Sequence, residues 1–110
     1  MASKGWTASD SKDNALATAT RPANANDRHS ISSVVGSYSA SISTPRLLQV
    51  KDGVTVVWSY YLPANVSAIA FDFDPPFPCT PGNAVSAVLD ASGTGGQVGI
   101  VGLVGITSGV

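Results

Sequence analysis

The chain has 110 residues, of which 44% are hydrophobic and only 12% are charged, and its formal net charge at pH 7 is −1. This length suits a single domain with a short appendage. The 6 Lys and Arg residues are scattered along the sequence, which argues against nucleic-acid binding, because phosphate contacts require basic residues clustered on one face. Ser, Thr and Asn must therefore hydrate much of the surface, and such groups are easier to desolvate against a partner than charges are.

Cysteine usage and hydropathy narrow the class of protein further. The single cysteine, Cys79, excludes an intrachain disulfide and any zinc site that needs two or more thiolates. The sequence has no apolar run of about 18 residues, as a membrane-spanning helix would need, and its start lacks the basic-then-apolar pattern of a signal peptide. We therefore expect a protein that is made and folded in a cytoplasm and has no membrane partner.

Residues 1–28 differ in composition from the rest of the chain. They are rich in Ala, Ser, Asn and Asp, and Trp6 and Leu16 are their main large apolar side chains, too few to offset the entropy lost on ordering the segment. The sequence predicts an extended or disordered N-terminal arm. The arm is either a terminus without a role or a segment that orders on a neighbouring subunit, with Trp6 and Leu16 as anchors.

Residues 29–110 have the texture of an all-β domain. Short runs of Val, Ile, Tyr and Ser alternate with Gly and Pro, which is typical of a β-sandwich or barrel. The first predicted strand begins at residue 31 and continues on one face past Gly36. A glycine inside a strand often marks a bulge, and we predict one at Gly36.

Residues 46–50 and 54–62 form a predicted hairpin. Asp52 and Gly53 lie between the two strands, and Asp-Gly supplies the positive φ angles that a tight hairpin turn requires. Alternation in the second strand places Trp58 on a face with Val54, Val56 and Tyr60. We expect Trp58 to be part of the core.

The next segment predicts an edge of the fold. Residues 67–73 alternate, with Ile69, Phe71 and Phe73 on the buried side. Residues 74–78 contain three prolines and cannot donate a ladder of hydrogen bonds, so they should run as a connector along the surface or an edge. Thr-Pro-Gly-Asn at 80–83 suits a type II turn.

A glycine-rich strand is predicted at 97–107. Its two faces lack charge, one with Val98, Ile100, Gly102, Val104 and Ile106 and the other with Gly99, Val101, Leu103, Gly105 and Thr107. Glycines at this density indicate that a ring or another backbone packs closely against the strand. Either it is a central strand covered on both sides, or it lies at a symmetric subunit interface, and both can hold.

The sequence gives little support for catalysis. His29 and Cys79 have no signature of a nucleophilic pair, and no G-x-S-x-G elbow is present. Asp72 and Asp74 share a face of an extended strand and could hold a cation or act as a glycosidase pair. Solvated carboxylates that protect an edge are the simpler interpretation. We predict no enzyme, and no catalytic, cofactor-binding or metal-binding residues.

Several short blocks carry a resemblance to a known group. From residue 29 to residue 110 the chain resembles small phage-encoded β-sandwich virion proteins, most clearly in its T-P-G-N-A turn and its A-S-G-T turn into a closing strand. The matching blocks are Ser37-Tyr38-Ser39-Ala40, Arg46-Leu47-Leu48-Gln49-Val50-Lys51-Asp52-Gly53, Thr80-Pro81-Gly82-Asn83-Ala84-Val85 and Ala91-Ser92-Gly93-Thr94. The resemblance implies a structural component of a particle.

Together these observations predict a jelly-roll-like antiparallel β-sandwich of about six to eight strands. We expect a structural protein of a bacteriophage particle, either a capsid decoration protein or a small head or tail fibre component, assembled in the bacterial host cytoplasm. Its expected partners are other copies of itself, with a trimer suggested by analogy, and virion proteins such as the major capsid protein. The alternative is a host-surface glycan-binding module. The predicted interface residues are Trp6, Leu16, Val98, Ile100, Val104 and Ile106.

Overall fold

The computed structural model describes residues 4–109, and this part of the chain contains eight β-strands. They are β1 (Lys4–Asp13), β2 (Ala17–Arg21), β3 (Asp27–Tyr38), β4 (Arg46–Asp52), β5 (Thr55–Leu62), β6 (Ala68–Pro78), β7 (Val85–Leu89) and β8 (Val98–Gly109). Within these residues no helix is long and apolar enough to cross a membrane.

The strands form two four-stranded antiparallel sheets. Sheet A has the order β1-β8-β3-β6, and sheet B has the order β2-β7-β4-β5. Each sheet combines strands that are distant in sequence, so the chain crosses between the layers as it proceeds. The prediction of an all-β, jelly-roll-like antiparallel sandwich is confirmed.

The core is built from the inward-facing residues of the strands. Side chains at every second position of β3, β8, β4 and β7 point between the sheets, because successive residues of a strand face opposite sides. The largest fully buried side chains are aliphatic, apart from His29, and are Ile31, Ile42, Leu48, Leu62, Leu89, Leu103, Val34, Val50, Val85 and Val101.

The predicted N-terminal arm is not found. Residues 4–13 and 17–21 are the edge strands β1 and β2 of the two sheets, paired in register with β8 and β7. Trp6 is only 8% exposed, and Ala17 and Ala19 are fully buried. The alanine side chains are small, and the backbone of β2 lies close to that of β8 in the opposite sheet. The predicted boundary after residue 28, between an arm and a β-sandwich domain, is therefore corrected, because residues on both sides of it belong to the same sandwich. Residues 1–3 of the predicted arm and residue 110 of the predicted domain lie outside the described residues.

Two further sequence predictions need correction. Gly36 stays in register between β6 and β8, and the bulge of β3 lies between Ile31 and Ser33 instead. Gly36 faces the core, where an added Cβ would lie 3.3 Å from the side chains of both Leu48 and Leu89. The absence of a side chain at this position therefore allows these two leucines to pack closely against β3. Trp58 packs against the core but is only half-buried.

The predicted hairpin is present, but its turn residues are Gly53 and Val54 and not Asp52 and Gly53, because Asp52 pairs with Thr55. The predicted turn at 80–83 is confirmed. Gly53 has φ +63° and opens a two-residue loop between Asp52 and Thr55, as in a hairpin with glycine at the first turn position. Gly82 has φ +83°, and the amide of Asn83 donates to the carbonyl of Thr80 at 3.2 Å. The proline-rich segment is the second half of β6, an edge strand, where the missing N–H groups disrupt no ladder.

Candidate functional site: interaction surfaces

His29 and Cys79 are buried neighbours that do not form a nucleophilic pair. The His29 ring contacts the hydroxyl oxygen of Thr107 at 2.7 Å through Nδ1 and the carbonyl oxygen of Pro22 at 2.9 Å through Nε2, so both ring nitrogens are engaged. Burial, and then the charge of Asp52, raise the pKa of the Cys79 thiol to about 12. A thiol that stays protonated at neutral pH is a poor nucleophile.

The carboxylates predicted as a possible cation site are exposed. Asp72 and Asp74 lie on edge strand β6. In residues 4–109 no group of three or more His, Cys, Asp or Glu side chains could hold a metal ion.

The outer face of sheet A is the first candidate surface. Strand registers align four rows of residues across β1, β8, β3 and β6. In strand order these rows are Ser11, Ile100, Ser37 and Ala68; Ser9, Gly102, Val35 and Ala70; Thr7, Val104, Ser33 and Asp72; and Gly5, Ile106, Ser30 and Pro78. We call this set the sheet A face.

The sheet A face is made almost entirely of small or apolar side chains. Ile100, Val35 and Val104 are 45%, 39% and 39% exposed, and Asp72 is the only charged residue in the four rows. Such a face can be covered by a partner with little charge to desolvate.

The predicted interface residues separate into two groups. Val98, Ile100, Val104 and Ile106 all project from the solvent side of β8, as the sequence alternation predicts. Trp6 is buried against β8 and does not join them; Leu16 is 54% exposed in the connection between β1 and β2. The structure thus brings together the four β8 residues and leaves out the two N-terminal ones.

A second candidate surface lies between the edge strands β5 and β6. Five aromatic rings meet there, at centroid distances of 4.9 to 6.3 Å in successive pairs. We call this cluster the aromatic groove, and its members are Trp58 and Tyr60 of β5 and Phe71, Phe73 and Phe77 of β6.

The aromatic groove is open to solvent although its strands border the core. Tyr60, Phe71 and Phe77 are 39%, 41% and 37% exposed. An aromatic side chain has about 150–250 Å² to bury, so each of these rings leaves on the order of 80 Å² in water. Covering one ring would contribute about 2 kcal/mol at ~25 cal/mol per Å².

Sequence reasoning missed this groove. The alternation correctly assigns Trp58, Phe71 and Phe73 to inward faces, which is why it predicts core. It does not show that β5 and β6 are the last strands of their sheets and leave the sandwich open between them. The sequence does contain one signal for this groove: aromatic residues are concentrated at 58–77, whereas the fully buried core is mainly aliphatic.

The comparisons with known proteins concern the fold. No protein-family model and no curated protein sequence matches the chain. Among solved structures, it is similar to a chain of the acid-stable capsid of Helicobacter pylori bacteriophage KHP30, with a TM-score of 0.60 and 12% identity over 93% of this chain and 86% of that chain. At this identity the likeness shows a shared fold.

Two looser likenesses have TM-scores below 0.5. One is to a virus-like particle chain of the extra small virus of the prawn Macrobrachium rosenbergii, with a TM-score of 0.41 and 11% identity over 97% of this chain and 80% of that chain. The other is to the CBM36-1 domain of a xylanase from the hindgut metagenome of Trinervitermes trinervoides, with a TM-score of 0.45 and 12% identity over 93% and 77%. Both are too distant to support an argument.

Proposed function

We propose that the chain is a structural protein of a bacteriophage particle that acts by packing against other virion proteins. The sheet A face carries this proposal, because a largely uncharged surface with one charge among its four rows is suited to permanent burial. The fold shared with a phage capsid chain and the low charged fraction of 12% support it. Capsid decoration or a small head or tail fibre component are the roles that fit, with assembly in the host cytoplasm.

The size of the sheet A face indicates how it would be used. With strands ~4.8 Å apart and same-face residues ~6.8 Å apart along each strand, the four rows cover on the order of 500 Å². A stable interface buries about 800 Å² per partner. The face therefore suits one contact within a lattice of several, as in a particle coat, better than a single isolated contact.

Incorporation into particles tests this function. Particles assembled without the protein would be supplied with the wild type, with Val104→Lys, or with Thr94→Lys, which adds the same charge at an exposed loop position outside the four rows. We expect the wild type and Thr94→Lys in gradient-purified particles and a loss of at least tenfold for Val104→Lys. Absence of the wild type from particles would overturn the function, and wild-type incorporation of Val104→Lys would overturn the assigned face.

Glycan binding is the second candidate function, and the aromatic groove favours it. Exposed rings next to a hydrogen-bonding group are typical of sugar sites, and Tyr60 offers both a ring and a hydroxyl beside Trp58. A glycan array would decide: a signal that is lost in Tyr60→Ala, without any binding to particles, would favour a host-surface recognition module. A blank array together with particle binding would favour the structural role.

A further inference from the structure

Three of the four sheet edges in the described chain are protected against pairing with another strand. Edge strand β1 carries Lys4, Asp10, Lys12 and Asp13. Edge strand β2 has only five residues, and the carboxylate of Asp10 accepts a hydrogen bond from the amide of Thr18 at 3.0 Å. Charges, short length and covered amides are the usual devices that keep an edge from pairing.

Edge strand β6 is protected differently. Pro75, Pro76 and Pro78 lack the amide protons that a new ladder would need, and Asp72 and Asp74 add charge. A partner strand could therefore not pair along the length of β6.

Edge strand β5 has neither the charges nor the prolines of the other edges, and its one irregularity is a shift of register against β4 between Val50 and Lys51. Its eight residues, Thr-Val-Val-Trp-Ser-Tyr-Tyr-Leu, include no charge, no proline and no glycine, and all but Ser59 and Leu62 are β-branched or aromatic. β4 is its one neighbour in sheet B. Val56 and Tyr61 are 43% and 64% exposed. A long, uncharged edge of strong β-formers is expected to be covered by another strand.

We infer that β5 pairs antiparallel with β5 of a second copy across a two-fold axis, which joins the two B sheets into one eight-stranded sheet. The occupant of the edge must offer a free strand edge of its own, and β5 is the only unprotected one in the described part of this chain. A two-fold axis places β5 antiparallel to its copy, so that the two strand centres meet and each end lies beside the opposite end. The pairing brings no like charges together, because β5 has no charged residue.

The aromatic groove provides the apolar part of this contact. A two-fold axis perpendicular to the sheet keeps the inner faces of both B sheets on the same side. The exposed rings of Tyr60 and Phe71 in one copy then lie next to those of the other, and the two grooves form a shared interface core. Interfaces are enriched in such rings at their centres. This contact is on a different surface from the sheet A face and does not depend on a role in a particle.

A charge at the centre of β5 tests the pairing. Ser59 is exposed, points away from the core and pairs with Gln49 of β4, so Ser59→Lys and Ser59→Asp should both fold. We expect the wild type to sediment as a dimer and each variant alone to shift to monomer, with dissociation constants raised at least tenfold. An equimolar mixture of the two variants should form dimers again, because opposite charges then meet near the axis.

The control variant is Thr94→Lys, which places the same charge in an exposed loop and should remain dimeric. Unchanged thermal unfolding of the Ser59 variants would confirm that they fold. A monomeric or trimeric wild type, a dimeric Ser59→Lys, or a variant mixture that stays monomeric would each overturn the inference. Presence or absence of the protein in particles changes none of these outcomes.

Discussion

The indole ring of Trp6 lies in the space that the missing side chain of Gly105 leaves open, and the two residues are direct partners in the β1–β8 pairing. A Cβ at Gly105 would fall on the ring and 2.5 Å from the carbonyl oxygen of Ser30. The ring also meets His29 edge to face at 5.7 Å. Edge strand β1 is thus attached to the sandwich by a large side chain that fits a glycine.

Replacement of Gly105 by alanine should destabilise the fold. The added methyl group must displace the Trp6 ring, and such overpacking costs about 1–3 kcal/mol. Gly102→Ala, on the same strand, is the matched control. Its Cβ would lie 4.0 Å from its nearest neighbours, the carbonyl oxygen of Ala8 on β1 and the Cβ of Val35 on β3, so we expect a change within about 0.5 kcal/mol. Urea unfolding of both variants checks this, and equal stabilities would contradict the described packing.

Trp6 and Leu16 should respond very differently to truncation. Trp6→Ala removes a core side chain and should lower the free energy of unfolding by about 3–5 kcal/mol. Leu16→Ala, at an exposed position, should change it by no more than about 0.5 kcal/mol. Thermal and urea unfolding measure both. Equally small effects of both substitutions would contradict the burial of Trp6 and would support the N-terminal arm that the composition predicts.

Asp52 should make the free energy of unfolding depend on pH in the acid range. Burial is the largest influence on this carboxyl and raises its pKa, but hydrogen bonds from the amide and hydroxyl of Thr80, at 2.9 and 2.8 Å, and from Asn83, at 3.1 Å, outweigh it and hold the pKa below the usual 3.8. Because the folded-state pKa is depressed, the stabilisation is complete above pH 3.8 and is lost as the pH falls through the folded value.

The measurement is unfolding of Asp52→Asn and of Asp74→Asn, an exposed control on β6, between neutral pH and the acid limit. We expect Asp52→Asn to lose about 1–2 kcal/mol at neutral pH and to approach the wild type as the pH falls below 3.8. A constant difference at all pH values would show that the Asp52 charge has no such role.

Cys79 should be chemically inert in the folded protein. It is 3% exposed, and burial raises the pKa of its thiol to about 12. At pH 8 we expect labelling by a thiol reagent to be at least a hundredfold slower in the native protein than in denaturant, and Cys79→Ala should retain assembly under reducing and oxidising conditions. Rapid native labelling would indicate a reactive site.

The β-sandwich could be predicted because its strands alternate strongly and its turns have specific chemistry. Gly53 and Gly82 are examples, since each requires the positive φ that the turn type demands. The N-terminal strands could not be predicted. Ala17 and Ala19 give only a weak apolar signal in the sequence. Their burial depends on pairing with β7 and on contact with β8, which come much later in the chain.

The candidate surfaces were predicted to different degrees. The solvent-facing set from Val98 to Ile106 follows from alternation within a single strand. The aromatic groove requires knowing that β5 and β6, from opposite sheets, are both terminal strands. Strand order arises from long-range pairing, which periodicity within a segment does not encode.

The most direct test of the structural role is the number of copies of the protein in purified particles before and after a wash in about 1 M NaCl, where the Debye length is only ~3 Å. Quantitative mass spectrometry would provide both numbers. A virion component held by the nearly uncharged sheet A face should be present in a fixed copy number that the wash does not change. Absence from the particles, or removal by salt, would contradict the account.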